Sequence, residues 1–160
     1  MEFSEYVANR RARLVRSAVL LGCSEADAED VVQTALSRAL RAWRKVQRAD
    51  SPDAYMQRIL LNTLRDAKRR RWSGEVPTET LPDSIVDDGT QRHAEGFAVR
   101  QALAAMSPEH REVLVLRFYA DLTERDTALA LGVAPGTVKS RTSRALRALA
   151  ADLDTTRSQR

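Results

Sequence analysis

Residues 131–149, LGVAPGTVKSRTSRALRAL, decide the fold of the C-terminal part of the chain. Gly132 follows a short helical pattern, and a glycine at that place supplies the left-handed residue that ends a helix. Pro135 suits the first position of a new helix. Thr123 with Asp126 opens the shorter helix as a cap. The stretch therefore predicts two helices joined by a three-residue turn, which is the helix-turn-helix unit.

Basic and hydroxyl side chains crowd the start of this last helix, away from its apolar side. In a helix-turn-helix, the N-terminal residues of the second helix meet base edges in the major groove, and lysine and arginine also neutralise phosphates. We expect DNA contacts from Thr137, Lys139, Ser140, Arg141 and Arg144. We expect Val138, Thr142, Ala145, Leu146 and Leu149 to face the core. A plain helical hairpin with a solvated basic face is the alternative.

The rest of the chain also has helical periodicity, and no stretch alternates long enough to predict a strand. A first helix covers about residues 3–21. Ser24 caps a second helix that continues to Val46, with Leu40 and Trp43 on its apolar stripe. Ser51 and Pro52 open a third, and Ser107 and Pro108 open another, which carries Val113, Leu114, Leu116 and Phe118 inward. The predicted fold class is all-α.

Charge and helix breakers divide the chain. Residues 73–91 contain five acidic residues, no basic ones, two prolines and two glycines. Such a composition is typical of a linker. We predict two small helical domains, residues 1–72 and 97–160, joined by an acidic flexible linker at 73–96. From composition alone, a solvated loop explains the acidic segment at least as well.

Composition excludes several classes of function. Cys23 is the only cysteine and there are two histidines, which predicts neither a disulfide nor a metal site. No residue set predicts an enzyme or a cofactor. Early charged residues argue against a signal peptide, and no uncharged run approaches the ~20 residues of a membrane span. We expect a cytoplasmic protein without membrane insertion. The net charge of +4 and pI near 9.7 favour an acidic partner, nucleic acid first.

A second basic track lies on the helix that begins at Pro52. Cations suit a helix C-terminus, but the four consecutive cations at 68–71 exceed what a cap requires. A basic track beside aromatic residues suits single-stranded nucleic acid, through phosphate contacts and base stacking. The track consists of Arg58, Asn62, Arg65, Lys68, Arg69 and Arg70.

Three segments together resemble a known family. RILLNTLRDAKRRR (58–71) is similar to the helix with which bacterial sigma factors melt and read the minus-10 element. AEDVVQTALSRALRAW (28–43) resembles the preceding helix, which grips the clamp helices of the polymerase β′ subunit. Residues 107–149 resemble the minus-35-reading domain. The chain thus resembles an RNA polymerase sigma factor of the extracytoplasmic-function (ECF) group of the sigma-70 family.

The resemblance implies the partners and a role for each surface. The partners would be the polymerase core, through the β′ clamp helices and β flap, promoter DNA and, as is usual in the family, an anti-sigma factor. Glu29, Asp30, Gln33 and Arg38 would contact the clamp helices; the basic track would line the minus-10 strand. The 47–51 loop would hold a flipped base, and the acidic segment would thread towards the RNA exit path. Thr34 stands where many relatives have glutamate.

Two other functions stay open at this point. A stand-alone helix-turn-helix regulator would bind duplex DNA without polymerase, but it leaves the 52–72 helix without a role. A helical adaptor would dock an acidic protein through its basic faces. It would show no DNA binding whose affinity falls steeply as the salt concentration rises. The sequence also leaves open whether the two blocks pack together, each hiding the other's DNA-binding face.

Overall fold

The structure is a computed structural model that describes residues 1–72 and 91–159, with side chains for 1–71 and 96–159. Within these ranges the chain is helical and has no strand, which confirms the predicted all-α class. The elements are α1 (Phe3–Leu20), α2 (Glu25–Arg41), α3 (Trp43–Arg48), α4 (Pro52–Trp72), α5 (Gln91–Ala105), α6 (Pro108–Leu114), a π-helical turn (Val115–Tyr119), α7 (Glu124–Leu131) and α8 (Pro135–Ser158). Most of the predicted linker, residues 73–90, lies outside the described residues.

Helix starts follow the local signals in the sequence. The Ser24 hydroxyl oxygen accepts from the Asp27 amide at 3.2 Å, and Ser51 accepts from Ala54 at 3.1 Å. The Thr123 hydroxyl accepts from the Asp126 amide at 3.0 Å. These bonds satisfy amides that a helix start leaves without a partner. Gly132 ends α7 with φ of 70°, and Pro135 is the first residue of α8, as predicted.

The helix predicted over residues 24–46 is interrupted at Ala42. Trp43 begins the short helix α3, and its ring lies 5.3 Å from the Phe3 ring and 5.1 Å from the Tyr6 ring, between centroids. The chain therefore turns to place Trp43 against α1. No local signal in the sequence predicts this turn. Leu40 is 54% exposed, so its predicted place on the apolar stripe was wrong.

Two further apolar residues in the second block lie outside the core. Phe118 is exposed because it belongs to the π-helical turn, where an extra residue per turn rotates it away from the face set by Val113 and Leu116. Leu146 is also exposed, since Ala145 occupies the buried position beside it on α8. Their predicted burial was wrong. The helix α5, which begins inside the segment predicted as linker, was not anticipated.

The two halves of the chain share one hydrophobic core. Helix α7 packs along α4, while α1 contacts both α5 and the π-helical turn. Leu61 and Leu64 of α4 are 2% and 5% exposed, and they belong to the same buried cluster as Val113 and Leu116. We call the contact between residues 1–72 and residues 91–159 the seam.

Candidate nucleic-acid interface

The predicted minus-35 residues lie at the start of α8, immediately after the turn at Gly132. Val138 and Ala145 are buried and fix which side of α8 faces the core. Lys139, Ser140 and Arg144 are exposed, and Thr137 is half-buried. Pro135 has no amide hydrogen, and the Thr137 and Val138 amides donate to the Ala134 carbonyl at 3.0 and 3.2 Å. The surface therefore presents its cations, rather than a row of free amides, to a DNA phosphate.

The two arginines of this surface differ in availability. The Arg144 side chain is exposed and makes no polar contact within the described residues. The Arg141 side chain is 23% exposed, and its Nη2 lies 3.6 Å from an Oε1 of Glu109 on α6. The Glu109 carboxylate therefore competes with DNA for the Arg141 guanidinium.

Helix α4 presents the second basic track along one face. Arg58, Asn62 and Lys68 are exposed, and Arg69 is 79% exposed. Arg69 donates to Asp66 on α4 itself. Arg65 contacts the second block, since its Nη2 donates to both carboxylate oxygens of Glu112 at 3.2 and 3.3 Å. The track is thus solvent-facing along most of its length, with one cation engaged at the seam.

The predicted polymerase-contacting residues lie along α2. Asp30 and Gln33 are exposed, whereas Val31 and Val32 beside them are buried. Glu29 is also exposed and accepts a hydrogen bond from Arg11 of α1 at 2.7 Å. A helix with these residues outward can offer an acidic, hydrogen-bonding face to a partner without disturbing its own core.

Arg38, the fourth predicted polymerase contact, joins α2 to α4. Its Nη1 donates to Asp66 Oδ2 at 2.8 Å and to Thr63 Oγ1 at 3.3 Å. Asp66 also accepts from Arg69. The hydrogen bond from Arg38, and then that from Arg69, hold the pKa of the Asp66 carboxyl below its ordinary value.

A groove of about 210 Å³ runs between α2 and α4 beside this pair. Its lining includes Asp30 and Arg38 from the polymerase-contacting set and Arg70 from the basic track. Asp27 of α2 and Arg71 of α4 form an ion pair at its edge. The groove brings the two predicted surfaces of the first block together, while the α8 surface belongs to a separate set of helices.

Sequence reasoning missed some polar residues and misplaced another part of the site. Asp66 was quoted only as part of a motif, although its position four residues after Asn62 and three before Arg69 places it beside the track. Gln47 and Arg48, predicted in a base-holding loop, belong to α3, and Gln47 Nε2 donates to the Met1 carbonyl at 2.7 Å. Nothing in the sequence indicated the buried Arg111 or the engagement of Arg65.

Some features are absent from the part of the chain that the structure describes. No helix there is long and apolar enough to cross a membrane. No group of three or more histidine, cysteine or carboxylate residues is placed to hold a metal ion.

Family models match both blocks of the chain. The model for sigma-70 region 2 matches residues 6–74, and the model for sigma-70 region 4 matches residues 96–149. An RNA polymerase sigma-E factor of Streptomyces coelicolor is 41% identical over 153 residues, covering 96% of this chain and 86% of that protein. The ECF RNA polymerase sigma factor SigL of Mycobacterium tuberculosis is 34% identical over 146 residues, covering 86% and 81%.

Solved structures share the arrangement of helices. The sigma factor RpoE of Bartonella quintana, in complex with the anti-sigma factor NepR, matches with a TM-score of 0.78 at 26% identity, covering 95% of this chain and 96% of that one. CnrH, in complex with the cytosolic domain of CnrY, matches with a TM-score of 0.70 at 27% identity, covering 96% and 88%.

Proposed function

This chain belongs to the sigma-70 family of RNA polymerase sigma factors, in its ECF group, and we propose that it binds core polymerase through α2 and directs it to promoters through α4 and α8. One observation carries this most: a region 2 match and a region 4 match occur in order on one chain, each on the helices that present a predicted surface. A stand-alone regulator would need only the α8 surface, and an adaptor would need basic faces but no surface for polymerase.

The polymerase surface is proposed at Glu29, Asp30, Gln33 and Arg38. Asp30 and Gln33 are the best test, because both are exposed and make no polar contact within the described residues. Asp30→Ala with Gln33→Ala should leave the melting temperature nearly unchanged, as is usual for surface sites. Binding to purified core polymerase should weaken, and run-off transcription from a defined promoter should fall with it.

The matched control is Asp154→Ala with Gln159→Ala, the same residue types exposed at the end of α8. It should retain core binding and transcription. If core polymerase with the wild-type chain starts no transcription from promoters that carry its preferred elements, the proposed function is wrong. If the Asp30 and Gln33 variant transcribes normally, only the assignment of the polymerase surface fails.

The α4 track is proposed to act on separated strands of the minus-10 element. It lies in a block without a helix-turn-helix, so major-groove reading is not expected there, and unstacking a base costs a few kcal/mol that contacts to the exposed strand offset. Arg58→Ala with Asn62→Ala should spare core binding and lower open-complex formation on duplex promoters. A pre-melted bubble template should restore much of the loss.

Asn9→Ala with Arg16→Ala is the matched control for this experiment, because both residues are exposed on α1 and lie outside the track. It should open duplex promoters like the wild type. Equal opening by the Arg58 and Asn62 variant would remove the strand-separating role from α4.

Several finer assignments extend the proposal. The chain works in the cytoplasm with polymerase and performs no covalent chemistry itself. The β flap is proposed as a second polymerase contact, and the two domains are proposed to divide at residues 73–96. The likeness to RpoE, solved with an anti-sigma factor, supports an anti-sigma partner for this chain as well. Capture of a protein that binds this chain and blocks its binding to core polymerase would test that last assignment.

A further inference from the structure

We propose that Asp66 is a positioning residue of the minus-10 track: its carboxylate competes with the strand for the Arg69 guanidinium, and Arg38 of α2 weakens this competition. Asp66 thereby sets how strongly the track binds strand phosphates. The inference rests on the proposed function, because the binding of a separated strand by α4 belongs to that proposal. It gives Asp66 a role in DNA binding that acts through Arg69 rather than through a contact of its own with DNA.

Asp66 is the only acidic residue within the basic stretch 58–71. Its Oδ1 accepts from Arg69 Nη2, and the two residues are three positions apart, so one turn of α4 brings them together. The lowered pKa of this carboxyl, caused first by the hydrogen bond from Arg38 and then by that from Arg69, keeps it ionised at neutral pH. Carboxylate and phosphate oxygens bind a guanidinium in the same way, so Asp66 and a strand phosphate are alternative partners of Arg69.

Arg38 holds the same carboxylate from α2, across the groove. Its Nη1 donates to Asp66 Oδ2 at 2.8 Å and to Thr63 Oγ1 at 3.3 Å. Thr63 is 3% exposed and its hydroxyl donates to the Ile59 carbonyl at 2.7 Å, so it offers Arg38 a fixed acceptor. Because Arg38 occupies one carboxylate oxygen, Asp66 cannot bind Arg69 through both oxygens, which is the stronger arrangement.

The contact between Asp66 and Arg69 is weak enough for a strand phosphate to replace it. The Arg69 side chain is 79% exposed and the Asp66 side chain 30%, and ion pairs in such settings contribute little. Arg38 remains beside the carboxylate when Arg69 leaves, so the displacement leaves no unpaired charge in the groove. Asp66 therefore lowers the affinity of the track by a small factor and does not abolish binding.

The test measures strand binding by holoenzyme that is assembled with excess purified core polymerase and isolated before use. One probe is a labelled single-stranded oligonucleotide with the minus-10 element that the wild-type holoenzyme prefers, and the other has the same bases in scrambled order. Asp66→Asn removes the charge and keeps the size of the side chain. Asp53→Asn is the matched control, because Asp53 is the other acidic residue of α4, is exposed and also pairs with an arginine, Arg10, at 3.7 Å.

Asp66→Asn should raise the affinity for the minus-10 strand about 2- to 5-fold, the factor that corresponds to an exposed ion pair. The plot of log affinity against log salt concentration should become steeper by up to about 0.7, since Arg69 then neutralises a phosphate without giving up a carboxylate. The scrambled strand should gain affinity by a similar factor, because phosphates carry no sequence information. Asp53→Asn should leave affinity and slope close to those of the wild type. Damage to the fold would lower the affinity rather than raise it.

Two further variants show whether the effect acts through Arg69. In an Arg69→Ala background, which by itself lowers strand affinity, Asp66→Asn should give no gain. Arg38→Ala should lower the strand affinity of the isolated holoenzyme about 2- to 5-fold, and adding Asp66→Asn should raise it to the level of Asp66→Asn alone. Arg38→Ala tests the proposal in a chain that keeps Asp66, so the answer does not depend on the folding of Asp66→Asn.

Unchanged strand affinity and salt dependence in the Asp66→Asn holoenzyme would overturn the proposal. An equal gain in the Arg69→Ala background would also overturn it, since that result would show a general effect of charge. Failure of the proposed function has a different signature: the wild-type holoenzyme would bind the minus-10 strand no better than the scrambled strand and would start no promoter-dependent transcription.

Discussion

The buried Arg111 guanidinium should be a major source of stability at the start of α6. It is 9% exposed and donates to four backbone carbonyls: Leu103 at 2.8 Å, Ala104 at 3.1 Å, Met106 at 3.0 Å and Leu21 at 3.2 Å. Three of these carbonyls lie in or after the last turn of α5, where a helix leaves its acceptors without partners. The fourth carbonyl belongs to Leu21, the C-cap of α1, across the seam.

We expect Arg111→Met to lower the free energy of unfolding by about 2 kcal/mol. The Leu103 carbonyl would still accept from the Met106 amide at 3.1 Å, so three carbonyls would lose their donor. Each costs about 1 kcal/mol at the lower end of the usual range, and part of that sum is offset because a charge no longer has to be buried. Methionine keeps most of the apolar stem and so limits the cavity. Arg111→Lys should recover little, because one ammonium group cannot serve four carbonyls arranged around a planar fork.

Urea denaturation followed by helix content measures the change, with Arg16→Met as the exposed control. The control should stay within about 0.5 kcal/mol of the wild type. A loss below about 1 kcal/mol for Arg111→Met would refute the reasoning, since it would show that water replaces the guanidinium at little cost. Gly22 offers a second check: its φ is 112°, and a Cβ there would lie 2.8 Å from Arg111 Nη1, so Gly22→Ala should also destabilise the chain.

Three further predictions follow from individual side chains. Asp66→Asn should make the free energy of unfolding less dependent on pH in acid. The lowered pKa of the Asp66 carboxyl stabilises the fold above about pH 3.8, and this contribution is lost as the pH falls further. Denaturation at stepped pH would show the difference. Burial, and then the charge of Asp53, raise the pKa of Tyr6 to about 12. The free energy of unfolding should therefore fall as the pH rises from 10 to about 12, and Tyr6→Phe should lack this loss. Denaturation at stepped alkaline pH checks this result. Arg144→Ala should relax the preference for one base of the minus-35 element at a cost of about 1–3 kcal/mol, whereas Lys139→Ala should weaken all sequences alike; selection from randomised minus-35 duplexes separates these outcomes, and an unchanged preference in the Arg144 variant would contradict base reading.

Local signals in the sequence predicted the helix starts well. Ser24, Ser107, Thr123 and Gly132 act through backbone groups within a few residues, so their roles can be read without the rest of the fold. The exposed positions of the α8 surface followed for the same reason, since Val138 and Ala145 define the buried side of a single helix.

Features that depend on distant partners could not be predicted in this way. Helical periodicity showed an apolar stripe on α4, but it could not show that Leu61 is covered by a second layer of helices. The break at Ala42 depends on the place that α1 offers to Trp43. Arg65 has the same appearance in the sequence as Arg69, and only the fold brings Glu112 to it across 47 residues of chain.

The π-helical turn at Val115–Tyr119 gives this chain a point of tolerance to changes in length. The Ala120 amide donates to the Val115 carbonyl at 2.9 Å, five residues back, so this turn holds one residue more than a regular α-helix needs. Deletion of one residue here could be absorbed as a continuous helix, but everything that follows would turn by about 100° relative to α6. The orientation of α8 relative to DNA thus depends on the extra residue in the π-helical turn. Related chains could change this orientation by gaining or losing that residue.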